Sequence, residues 1–152
     1  MDALIGPPAR TWETPRGSIA VWTPARGVYV SRVIGHVDDE VSSRMVAAGN
    51  DVIARDGKLI GFHDWSGVTT YDSACRQRLT QWGFDIRNDV ERVHFYVTNK
   101  LVRMGISVAS IVLLGMIVSH DEAVTFEAQL GAEIEKRKIS VRPRRPSGFG
   151  PL

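Results

Sequence analysis

Lys58-Leu59-Ile60-Gly61-Phe62-His63 and Val93-His94-Phe95-Tyr96-Val97-Thr98 are the stretches on which the fold turns. The first is short, apolar and bounded by Asp56-Gly57 and Asp64, which suits a strand buried on both faces. In the second, Val93, Phe95 and Val97 alternate with His94, Tyr96 and Thr98 at the period of a pleat. Between them Cys75, Leu79, Trp82 and Ile86 recur at helical spacing, behind Asp72 or Ser73 as a cap. A strand, a helix and a second strand in that order pair in parallel through a right-handed crossover.

The same logic extends outward. Upstream, Asp38 or Asp39 can cap a helix with Val41, Met45, Ala48, Val52 and Ile53 on one face, ended by Asp56-Gly57. Before it, Ile19 and Val21 face Val28 and Val30 across the turn-rich Thr23-Pro24-Ala25-Arg26-Gly27, a hairpin whose second strand runs toward Ile34. Downstream, residues 99–114 predict a third helix and Met116 to Ser119 a strand. Asp121 then caps a last helix with Ala123, Phe126, Leu130 and Ile134 inward. The order is ββαβαβαβα: an α/β fold with a mostly parallel sheet packed by helices. Residues 1–17, with Pro7, Pro8 and Pro15, read as an irregular leader, 18–138 as the domain, and 139–152 as a basic flexible tail.

Composition agrees with one globular domain: 152 residues, 43% apolar and 24% charged. The single cysteine, Cys75, excludes an internal disulfide and lies on an apolar helical stripe. The start of the chain lacks the basic and apolar regions of a signal peptide. The uncharged run between Arg103 and His120 falls short of the roughly 20 residues of a membrane span. A cytoplasmic protein is expected. Residues 136–152 hold Lys136, Arg137, Lys138, Arg142, Arg144 and Arg145 and no acidic side chain, so the net +2 leaves the first 135 residues at −4. A solvated helix end explains these cations better than a nucleic-acid arm, given the acidic body and the absence of interleaved aromatics.

The element order and the residues at its junctions resemble the STAS domain, in its SpoIIAA-like, anti-sigma-factor-antagonist-like form. Val33-Ile34-Gly35-His36-Val37-Asp38 resembles the family's strand end before its first helix. Phe62-His63-Asp64-Trp65-Ser66-Gly67-Val68 resembles its D-x-S-G segment, and Asp121-Glu122-Ala123-Val124-Thr125-Phe126-Glu127 the acidic start of its last helix. The likeness spans about residues 18 to 138. It implies a non-enzymatic, regulatory protein–protein interaction domain, possible partners being a regulatory kinase or an anti-sigma-like protein, with no cofactor. Ser66 takes the place of the family's phosphorylated serine. Val68-Thr69-Thr70-Tyr71 then intervene before a helix cap, a departure from that pattern that puts the switch in doubt.

The residues themselves offer a contact surface at the strand ends and the expected loop from Asp64 to Thr70: His36, Asp38, Asp64, Trp65, Ser66, Gly67 and Thr69. A phosphoryl group on Ser66 adds nearly two charges there; as a plain turn, the same polar residues bond the local backbone. His36, His63 and His120, each followed by Asp38, Asp64 or Asp121, are the one hint of catalysis or metal binding. Helix capping accounts for the aspartates more simply. Ser107 loosely matches a nucleophile elbow but falls inside a helix. Trp82 reads as core, whereas Trp65 fits either an interface anchor or a ring folded down over the sheet. Two other function classes stay open: a carrier of a small apolar ligand or lipid, walled by Leu101 to Leu114, and a metal-dependent hydrolase using the histidines. A homodimer is allowed.

Overall fold

The computed structural model describes the backbone of residues 1–140 and the side chains of 1–138, so most of the expected tail lies outside the described residues. Along the chain run α1 (Asp2–Ile5), β1 (Arg10–Thr14), β2 (Gly17–Ala25), β3 (Val28–Val37), α2 (Asp39–Asp56), β4 (Leu59–Tyr71), α3 (Ser73–Asp85), β5 (Val90–Tyr96), α4 (Lys100–Val112), β6 (Ile117–His120) and α5 (Ala123–Ser140). The six strands lie side by side in chain order. β1, β2 and β3 are antiparallel neighbours, whereas β3 through β6 pair in parallel. The strand–helix alternation read from the sequence is therefore present, with one strand added in front.

That strand is a correction. Residues 1–17 are not irregular: Arg10 to Thr14 pair with Val21 to Gly17. The prolines flank β1 without interrupting it, and Thr11, Trp12 and Thr14 favour extended backbone. Trp12 packs on the core from this edge, under the guanidinium groups of Arg10 and Arg44 at 5.4 and 5.1 Å.

Two cores sandwich the sheet. On one face Val41, Met45, Ala48 and Val52 of α2, Cys75 of α3, and Val102 and Ile106 of α4 meet Tyr29, Val33, Leu59, Trp65 and Phe95. On the other, Phe126, Leu130 and Ile134 of α5 cover Trp22, Val28, Val30, Ile60 and Phe62, with Met1 and Ile5 alongside. Asp38 caps α2 by accepting from Val41 N at 2.9 Å. No helix among the described residues is long and apolar enough to cross a membrane.

The second correction decides the site. Asp64 to Thr70 is not a loop. β4 continues to Tyr71 and keeps pairing with β3, an extra residue entering β4 between Asp64 and Gly67. That bulge breaks the strict alternation, so Trp65 and Val68, three residues apart, both enter the same core.

The β2–β3 ladder closes where Gly35 faces Gly17. Gly35 has φ +86°, and a Cβ there would lie 2.3 Å from the Arg16 carbonyl oxygen. Gly35→Ala should thus lower the unfolding free energy by about 2 kcal/mol or more. Urea denaturation checks this; an unchanged midpoint would contradict the packing described.

Candidate functional site

The sequence-expected contact residues divide between rim and interior. β5 ends at Tyr96 opposite Asp64, so the last part of β4 projects beyond its neighbour. There Gly67 and Thr69 are exposed and Ser66 is half-buried. The Ser66 hydroxyl donates to Asp64 Oδ1 at 2.6 Å, and its amide donates to the same oxygen. Asp64 also accepts from Arg32 Nε at 3.3 Å. It caps no helix, contrary to its expected role. Trp65 points the other way and is 6% exposed. His36 is buried, with Nδ1 against Thr70 Oγ1 at 2.5 Å and Nε2 against Asp72 Oδ1 at 2.8 Å. Asp72 precedes α3 yet makes no side-chain cap bond, its carboxylate being drawn to His36.

The histidines do not form one centre. His63 lies in the three-helix core, 2.6 Å from Ser31 Oγ and edge-on to Tyr29. His120 lies across the sheet, its Nε2 2.9 Å from Nδ1 of His94, which stacks on Phe62 at 4.6 Å. Adjacent positions on a pleated strand face opposite sides, which separates them. Among the described residues no three His, Cys, Asp or Glu side chains gather as a metal site, so the three-histidine hydrolase loses its geometric basis. Burial pushes His63 down to about 3, helped by His94, and His94 down to about 4, helped by His120 and Arg92. Burial also lowers His120, against the pull of Asp121.

What the fold does build is a cavity between the sheet and the pair α3–α4. His63, Trp65 and Phe95 contribute to its floor, Leu79, Trp82 and Gly83 of α3 one wall, and Gly105, Ala109 and Leu113 of α4 the other. It measures about 90 Å³ as room for the centres of water-sized molecules. One water needs roughly 10–15 Å³ on that measure, so the space suits a slender apolar group. Gly105 lets Tyr71 pack closely against α4, since a Cβ there would come within 2.7 Å of the Tyr71 hydroxyl. In the floor, Trp65 Nε1 is buried without a hydrogen-bond acceptor among the described residues, a state that costs about 1–3 kcal/mol.

Outside this wall, α4 shows a second apolar face to solvent, with Met104 67%, Ile111 77% and, just past its end, Leu114 92% exposed. Sequence reasoning found the apolar helix but missed Tyr71 and Arg76 at the cavity. Its one available signal was a helix too apolar to have a single buried face.

No protein-family model matches the chain, and no curated protein matches it significantly. Among solved structures, it is similar to an uncharacterised protein of the DUF3478 family with a SpoIIAA-like fold, from Shewanella loihica. The two share 12% identity with a TM-score of 0.60, over 78% of this chain and 98% of that one. The chain therefore has a SpoIIAA-like fold, as the resemblance implied.

The buried histidine gives this core a pH dependence. His63 binds its proton in the unfolded chain near 6.5 but in the folded one only near 3. Its contribution is complete above the unfolded value and is lost as pH falls toward the folded one. Between pH 7 and 5, urea titrations should show a stability loss of about 2 kcal/mol from this group. His63→Gln should flatten that slope; an equal slope in the variant would refute the assignment.

Proposed function

We propose that this chain is a non-catalytic binding domain whose α3–α4 cavity receives a slender apolar ligand. The observation that carries the reading is the cavity itself, apolar on nearly all sides, with the ring of Trp65 among its lining. Natural cores close such spaces, and a vacant one loses the contacts of its whole lining. An occupant restores them. Nothing in this scheme requires a bond to be made or broken.

Trp65 and Trp82 both border the space, so their fluorescence reports filling. Dodecanol added to the purified chain should change that emission saturably. Ala109→Leu, which fills the wall, should weaken binding about tenfold or more while keeping the far-ultraviolet dichroism of the wild type. Equal binding by both proteins would refute the reading.

A second reading, regulatory association with a protein partner, is supported by the exposed apolar face of α4. The SpoIIAA-like fold is compatible with it. Of the expected contacts, Gly67 and Thr69 are accessible to a partner along with Asp38 and Asp64 in part, while His36 and Trp65 are buried. Ser66 as a phosphorylated switch acts through Asp64: a charge placed there repels the carboxylate it now bonds. On this reading Ser66→Asp weakens capture of partners from native lysate about tenfold. Unchanged capture would remove the switch.

A further inference from the structure

Besides its tryptophans, the cavity's polar lining residues are His63, Tyr71, Arg76 and Thr80, and Arg76 brings the one cationic side chain. Where β4 meets α3 the cavity is bordered by Tyr71 and Arg76; at the opposite end by Ile86, Val90, Leu113 and Met116. Arg76 is half-buried on the first turn of α3. Its carbonyl accepts from Thr80 Oγ1, but its guanidinium has no ion pair or hydrogen bond among the described residues. Its neighbour two positions on, Arg78, is held by Asp39 at 2.7 Å. The acid nearest in sequence, Asp72, is committed to His36, which also leaves the first amides of α3 without a side-chain acceptor. A cation and a phenol thus border the same end of an apolar space, beside the start of α3.

We infer that the ligand is a single-chain carboxylate, a fatty-acid anion, with its head at Arg76 and Tyr71 and its chain running toward Leu113. This rests on the reading of the cavity as an apolar-ligand site. The planar guanidinium fork matches a carboxylate in two parallel hydrogen bonds, and the positive end of α3 favours the same charge. The space is small, about 90 Å³, and a single chain is the occupant proposed.

Titration calorimetry of the full chain with dodecanoate, dodecanol and dodecyl phosphate, each below its micellar concentration, tests the assignment near neutral pH. Dodecanoate should bind about tenfold or more tightly than dodecanol. Arg76→Gln should abolish that preference, and Arg76→Lys should restore part of it. Equal affinity for acid and alcohol in the wild type overturns the head assignment while leaving the apolar site standing. Tighter binding of dodecyl phosphate overturns the carboxylate specifically. Binding of none of the three overturns the underlying reading as well. The wild-type comparison decides alone if Arg76→Gln does not fold.

Discussion

The structure depends on one topological constraint: four parallel strands laid down in chain order, β3 to β6, joined by crossovers of a single hand. Same-handed crossovers between successive neighbours place every connecting helix on the same face. α2, α3 and α4 accordingly share one core. The opposite face receives no crossover at all, although Val28, Val30, Ile60 and Phe62 on it are as apolar as their counterparts. Only the chain ends can cover it, which is why α5 and the short α1 meet there. The parallel sheet is buried twice over, once by its connections and once by its termini.

The crossover logic was legible because period and capping agree along each segment. Asp38 caps α2 and Val41, Met45, Ala48 and Val52 are its buried residues. Where local chemistry and long-range pairing disagree, sequence reasoning failed. Asp64-Trp65-Ser66-Gly67 has the composition of a turn, yet pairing with β3 keeps it extended, an override typical of strands. Of the two placements the turn left open for Trp65, rim anchor or ring folded over the sheet, the structure has the second. β1 was hidden in the same way, by prolines that bracket five pairable residues. The cavity was illegible for a different reason. It arises from the distance between α4 and the sheet, set by Tyr71 meeting Gly105, and no period or motif encodes a distance.

The histidines show how a pleat defeats a constellation inferred along the chain. Phe62 faces His94 and His63 faces Phe95 across the β4–β5 ladder. Each pair shares a face, and the two pairs occupy opposite ones. Each imidazole therefore stands beside an aromatic ring on its own side of the sheet. Desolvation holds both rings neutral at physiological pH, so they serve as flat, mildly polar packing pieces.

The diversion of Asp72 to His36 reaches beyond that hydrogen bond. A helix whose entry is not fastened frays there first, and α3 buries fully just one side chain, Cys75. α2 beside it is fastened by Asp38 and buries six residues. Of the two helices α3 is thus held by fewer buried side chains, and it is a wall of the cavity. Local breathing of α3 can admit a molecule wider than the resting gap without disturbing the sheet. The hinge of such a doorway would lie at the pairing of Trp82 with Asn50 on α2, where the indole N–H meets its amide oxygen at 2.8 Å.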